Sequence, residues 1–153
     1  MHWMILPLKR YADFEGRSRR MEYWMFQLLN IIVSIVLAGP FAFAVISADL
    51  AASGQPVDDP LAAMGALGFA SIGMYGLYIL AIICPAIAVT VRRFHDRGLS
   101  GWWVLGLTLG GMIPLIGFLA SIASFIITLL PGDQGTNRFG PDPKDPTNAE
   151  IFA

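Results

Sequence analysis

Charge is what this sequence has least of. Acidic and basic residues make up 14% of its 153 positions, against roughly 25% in an ordinary soluble domain. The shortage is concentrated. No Asp, Glu, Lys or Arg falls within residues 23–48, 60–91 or 98–132, and each block exceeds the roughly 20 apolar residues that cross a bilayer core. A buried core accounts for one such run, but three leave too little charged exterior for a soluble chain of this size. The expected class is therefore an all-α integral membrane protein.

Cysteine is nearly absent. Cys84 stands alone inside the second apolar block, which excludes an intrachain disulfide and a metal-thiolate cluster and reads as a small buried hydrophobe. The two histidines, His2 and His95, lack ligand spacing, so no metal site is expected. Gly106, Gly110 and Gly111 lie in apolar sequence rather than in a phosphate-cradling loop, so no cofactor is expected. A net charge of -1 points to no nucleic-acid partner.

What is present is ordered by the apolar blocks. Residues 1–21 are a polar-aromatic lead-in, with Trp3, Ile5, Leu6 and Leu8 ahead of Lys9, Arg10, Arg17, Arg19 and Arg20. This lead-in is expected on the membrane surface. Arg19 and Arg20 before an apolar run, and Ala42-Phe43-Ala44 within it, resemble a secretory signal. The run continues from Tyr23 past Pro40, however, and a signal's apolar region is about 7–15 residues. An uncleaved first span is therefore expected from Tyr23 to about Ile46, with Glu22 at its mouth and Tyr23 and Trp24 at headgroup depth. Residues 47–62 contain Asp49, Asp58 and Asp59 and no Lys or Arg, and read as a loop. The second span is expected from about Met64 to Val91, bent rather than ended by Pro85.

As one helix the third block would be about 52 Å long, against a hydrocarbon core of about 30 Å. Gly110, Gly111 and Pro114 permit a turn near its middle. It gives either one bent span or a short hairpin, Trp102 to Ile113 and Leu115 to Leu130. The tail from Pro131, PGDQGTNRFGPDPKDPTNAEIFA, carries no periodicity and is expected to be irregular and outside the bilayer. Residues 1–146 are expected to form a single membrane domain, with 147–153 disordered.

Basic residues accumulate on the cytoplasmic side. Five precede the first span and three lie at 92–97, which puts the N-terminus and residues 92–101 inside and the acidic loop outside. A hairpin returns the tail, with Arg138 and Lys144, to the inside; a single bent span leaves it outside. The cytoplasmic cations make anionic lipid the expected partner, at about 1 kcal/mol for each Lys or Arg near the surface.

The stretch RRFHDRGLSGWW, Arg92 to Trp103, has a structural reading. Arg92, Arg93 and His95 offset the unpaired carbonyls ending the second span, Gly98 supplies the left-handed residue, Ser100 caps the next helix, and Trp102 and Trp103 anchor it. Asp96 is left as a local partner for an arginine. The catalytic alternative joins His95, Asp96 and Glu22 as acid-base groups. No nucleophile elbow accompanies them, and adjacent helical residues point about 100° apart, so no enzymatic activity is expected. The spans hold no ionisable residue of the kind that carriers keep. Gln27, Asn30, Tyr75 and Tyr78 read as interhelical hydrogen-bonding groups, and Gly106-x-x-x-Gly110, Gly117-x-x-x-Ser121 and Ala120-x-x-x-Ser124 as close helix packing within one chain or between copies.

Three stretches together resemble one family. FEGRSRRMEYWMF (Phe14 to Phe26), RRFHDRGLSGWW followed by IPLIG (Ile113 to Gly117), and PGDQGTNRFGPDPK occur in the order of the bacterial inner-membrane family called domain of unknown function 805, over roughly residues 3–144. The family pattern maps onto Gly16, Arg17, Arg20, Glu22, Tyr23 and Trp24. It continues at Arg92, Arg93, His95, Asp96, Ser100, Gly101 and Trp102, and ends at Asn137, Arg138, Gly140, Asp142 and Pro143. The loop from Ala48 to Pro60 is longer than the family usually carries, so a shared outer-face role does not carry over. The resemblance implies a small multi-pass bundle of four membrane segments, the last two a hairpin, with the tail inside and no established activity. It also implies a cytoplasmic polar cluster of Arg17, Arg20, Glu22, Arg92, Arg93, His95, Asp96, Asn137, Arg138 and Asp142, in which Glu22 and Asp96 pair with the arginines. The expected role is structural or interactive, toward anionic lipid, a partner membrane protein or a second copy. The alternative is a small transporter or transport accessory subunit.

Overall fold

The computed structural model describes residues 2–51 and 65–145. Its described secondary structure is helical: α1 (His2–Lys9), α2 (Arg20–Ala51), α3 (Gly65–His95), α4 (Trp102–Gly110) and α5 (Pro114–Leu129). One isolated antiparallel bridge joins Asn137 and Gly140.

Among the described residues, α2 and α3 are the two helices long and apolar enough to cross a membrane. A helix satisfies its backbone internally, so an apolar run can enter lipid in this form. Their large hydrophobic side chains are turned outward: Ile35 is 67% exposed on α2, and Leu80 is 71% exposed on α3. Such wide apolar exposure on a soluble chain would be an aggregation surface. Pro40 and Pro85 lie inside their helices. α2 runs on through residues 47–51, where the sequence suggests loop; the rest of that loop, and Met64 as the start of the second span, lie outside the described residues.

The chain forms two compact units, Leu28–Ile83 and Met1–Gln27 with Cys84–Ala153. Within Leu28–Ile83, the Tyr78 hydroxyl donates to Asn30 Oδ1, joining α2 to α3, and the Tyr75 and Tyr78 rings stack at 6.4 Å. In the other unit, Gln27 Nε2 donates to the Tyr23 hydroxyl one turn earlier at 3.1 Å.

That other unit contains the hairpin. α4 and α5 pack against each other around a turn at 111–113. At 9 and 16 residues they are about 13 and 24 Å long. Pro114 opens α5, where its missing N–H costs nothing. A Cβ on Gly117 would run into the Gly111 carbonyl, so the small residue at the start of Gly117-x-x-x-Ser121 lets the turn close. Gly106 faces open space, and its half of the glycine pattern is not used in this way.

α3 ends as its sequence suggests. Gly98 has φ +65°, its N–H donates to the His95 carbonyl, and the Leu99 N–H reaches back to Phe94. This paired closure is the Schellman motif. The expected cap at Ser100 is displaced by one residue. Gly101 occupies the cap position of α4 without a side-chain bond, because a Cβ there would lie 2.8 Å from Val91 Cγ1. Ser100 Oγ accepts the Trp102 N–H only at 3.5 Å.

Candidate functional site

The charges expected at the helix mouths are drawn inward. Arg17, Glu22, Arg92, Arg93 and Asp96 are each at most 2% exposed. Gly16, at φ +76°, turns the chain before Arg17, and the Ser18 N–H donates to the Arg92 carbonyl at 3.2 Å. The first motif is thereby bound to the last turn of α3.

Asp96 is the centre of one network. Arg17 Nε donates to its Oδ1 at 2.9 Å with Nη2 lying 2.8 Å from the same oxygen, and Arg93 Nη1 donates to its Oδ2. The Arg93–Asp96 spacing of three residues puts that pair on one face of the helix end. Glu22 is the centre of the second, accepting Arg92 Nη2 at 3.0 Å. Its place in the first turn of α2 also suits the positive end of that helix dipole.

Three buried guanidiniums share two buried carboxylates, one positive charge in excess. Most of the remaining donors go to main-chain carbonyls, while Arg92 Nε is buried without a hydrogen-bond partner among the described residues. Arg93 donates to Thr128 at 3.2 Å and to Leu130. Arg17 donates to Gly135 at 2.6 Å and to Asp133, and Arg92 to Arg10 at 3.4 Å and to Asp13. The last carbonyls of a helix lack intrahelical partners and carry its negative pole. α5 is therefore closed from outside: Arg20 Nη1 donates to Leu129 at 3.3 Å, and Trp24 Nε1 to Thr128 at 3.4 Å. Arg92 and Arg93 thus do not serve the carbonyls of their own helix, as the sequence suggested. α3 closes itself at Gly98, which frees both side chains to reach other elements.

Over residues 131–145 the tail is irregular but held; residues 147–153, expected to be disordered, lie outside the described residues. The Asp133 N–H donates to the Asp96 carbonyl at 2.8 Å, and Arg97 Nη1 donates to Pro131 at 2.7 Å and lies 3.4 Å from Asp133 Oδ1. Asn137 Nδ2 donates to the His95 carbonyl at 2.9 Å. The His95 ring lies parallel to Phe139, centroids 3.9 Å apart, and its Nδ1 donates to the Gly16 carbonyl at 3.2 Å. Arg138 sits over Phe139 and donates to Gly98 at 2.9 Å. Asp142 accepts the Gly135 and Lys144 N–H groups, at 3.2 and 2.9 Å, and organises the turn.

Of the candidate residues, then, Arg17, Glu22, Arg92, Arg93 and Asp96 meet in the ion pairs. Arg20 and Arg138 make their bonds to carbonyls, while His95, Asn137 and Asp142 order the tail. His95, Asp96 and Glu22 are not brought together as an acid-base group, since the carboxylates are engaged by arginines. The sequence reading missed Gly132 and Asp133, although PGDQG carried the signal: a Cβ on Gly132 would overlap the Asp96 carboxylate. It also missed Asp13, three residues after Arg10 and bonded to its Nε and Nη2 at 2.8 and 2.6 Å. Burial raises the Asp13 carboxyl. The Arg10 bonds, the Glu15 N–H and the nearby Arg92 charge outweigh that effect and hold it below the ordinary 3.8.

A cleft of about 280 Å³ lies beside the network, lined by Thr90 and Phe94 of α3, Leu107 and Thr108 of α4, and Ser121 and Ser124 of α5. Three of its hydroxyls, on Thr90, Thr108 and Ser121, donate to carbonyls one turn back on their own helices.

No solved structure matches this chain significantly. Among curated proteins, inner membrane protein YhaH of Escherichia coli strain K12 is 36% identical over 148 residues, 94% of this chain and 98% of YhaH. Inner membrane protein YhaI of the same strain is 35% identical over 148 residues, 97% of this chain and all of YhaI. Uncharacterized protein YiiR is 31% identical over 86 residues, 44% of this chain and 58% of its own length. The family described as protein of unknown function (DUF805) matches residues 11–141, which hold the first two motifs and all but the last three residues of the third, and the chain therefore belongs to the DUF805 family.

Proposed function

We propose that the chain is a multi-pass protein of the bacterial inner membrane whose polar end is an architectural cross-brace. The observation that carries this reading is the burial of Arg17, Arg92 and Arg93, each bonded to a carboxylate of Glu22 or Asp96 and, between them, to carbonyls of three further stretches. Such a network joins the lead-in, both long helices, the hairpin and the tail. The similarity to the inner membrane proteins YhaH and YhaI supports the location, as do the outward apolar side chains of α2 and α3.

In this reading α2 and α3 span the bilayer, and α4 and α5 enter it as a short hairpin, making four membrane segments. The bonds from Arg93 to Thr128 and Leu130 support a tail on the same side as Arg92–Arg97, and the distribution of cations makes that side cytoplasmic for both termini. The brace holds a rigid surface on which Lys9, Arg20, Arg138 and Lys144 stay exposed. These cations contact anionic headgroups or a partner membrane protein, a second copy included.

The test is protease resistance in detergent of Arg93→Ala and Asp96→Ala, with Arg93→Lys as a control that keeps charge but loses the planar fork. The architectural reading expects the tail to become cleavable in both alanine variants, and unchanged resistance overturns it. Lys144→Cys in a Cys84→Ala background reports sidedness: labelling by an impermeant thiol reagent only after lysis is expected, and labelling in intact cells overturns the cytoplasmic tail.

A further inference from the structure

α1 is apolar on two opposite sides. Leu6 and Pro7 are buried, whereas Ile5 and Leu8, one turn apart, are 46% and 38% exposed. Tyr11 and Phe14, just beyond the helix, are 45% and 41% exposed, so outward apolar residues recur every third position from Ile5 to Phe14. No acidic residue precedes Asp13, and Asp13 is paired with Arg10. Cations flank the strip: Lys9 and Arg20 are exposed, and Arg19 is stacked on Trp3 at 5.4 Å.

The position of α1 is set by the buried network. Arg92, in the last turn of α3, donates to the carbonyls of Arg10 and Asp13. α1 is therefore held level with the polar end of an apolar helix, where a bilayer would pass from hydrocarbon to headgroups.

We propose that α1 lies in the surface of the anionic leaflet, with Ile5, Leu8, Tyr11 and Phe14 in the acyl boundary and Lys9 and Arg20 on the lipid phosphates. A short helix with one docked face, one free apolar face and neighbouring cations has the chemistry of an interfacial anchor. This proposal rests on the membrane reading above.

The test uses the full chain with Cys84→Ala, spin-labelled singly at Ile5→Cys, Leu8→Cys, Glu15→Cys and Ile35→Cys, in vesicles of phosphatidylcholine with and without phosphatidylglycerol. Collision with oxygen is compared with collision with a water-soluble nickel chelate. Labels at 5 and 8 are expected to favour oxygen several-fold over the label at 15, and to lie deeper when phosphatidylglycerol is present. Labels at 5 and 8 that match the label at 15, while the label at 35 reports lipid, overturn the interfacial helix and leave the spans standing. A label at 35 that reports water overturns both. A depth at 5 and 8 indifferent to phosphatidylglycerol overturns the assignment of anionic lipid.

Discussion

The two units of the molecule solve opposite problems. The described residues of Leu28–Ile83 are apolar helix, with large side chains outward and a Tyr78–Asn30 bond joining the two helices. The unit made of Met1–Gln27 and Cys84–Ala153 contains the buried ion pairs found among the described residues and the irregular segment after α5. Helical backbone needs no partner, so the first unit is matched to lipid by composition alone. Irregular backbone must find donors for its carbonyls, and in the second unit arginines supply them. Buried guanidiniums are costly to desolvate; here each bonds several carbonyls at once, and the result is order in a segment without periodic structure.

The sharpest way to break this contrast is Asp96→Ala. It strands Arg17 and Arg93 without their carboxylate, and removing one partner of a buried pair costs about 3–5 kcal/mol. Melting in detergent should fall accordingly and the tail should become protease-sensitive, while far-UV circular dichroism keeps the signal of α2 and α3. A tail that stays resistant would mean that the network is not what orders it.

Gly132→Ala attacks the same place sterically. The added methyl overlaps a carboxylate held by two arginines, and overpacking of this kind costs about 1–3 kcal/mol. Its melting loss should be smaller than that of Asp96→Ala; a neutral effect would mean that residues 131–133 can move away from α3 freely.

Tyr78→Phe tests the apolar unit. Interhelical hydrogen bonds in membrane proteins average about 0.6 kcal/mol, so the melting shift should be slight and tail proteolysis unchanged. A larger loss would make that bond a structural centre comparable with Asp96.

The smallest effect is expected from acid. The folded-state value of Asp13 lies below its ordinary 3.8, so its contribution is present above that value and is lost as pH falls through the folded one. Comparison with Asp13→Asn should show a slightly shallower acid loss in the variant. Asp13 is partly exposed and the pair is screened, so added salt should shrink the difference.

Much of the fold was legible because it is written in long runs. The charge-free blocks predict α2 and α3 within a few residues, and Gly110–Pro114 marks where the third block can bend while leaving one bent span and a hairpin both open. Gly98 as the end of α3 follows from its backbone freedom. The site was legible only as a set of residues. Arg17, Glu22, Arg92, Arg93 and Asp96 stand out as charges beside apolar sequence, but apart from Arg93–Asp96, three residues apart, the partners cited lie 35 to 118 positions away. No local pattern says that Arg93 closes α5 rather than α3, or that Gly132 must be bare because a carboxylate passes it.

By itself the sequence determined that this chain is helical and apolar enough for a bilayer, because hydrophobic length and charge placement act locally and additively. Which guanidinium meets which carboxylate or carbonyl was decided only by tertiary structure. Such pairing depends on which helix ends are brought together, and burial then leaves each donor a narrow choice of partners.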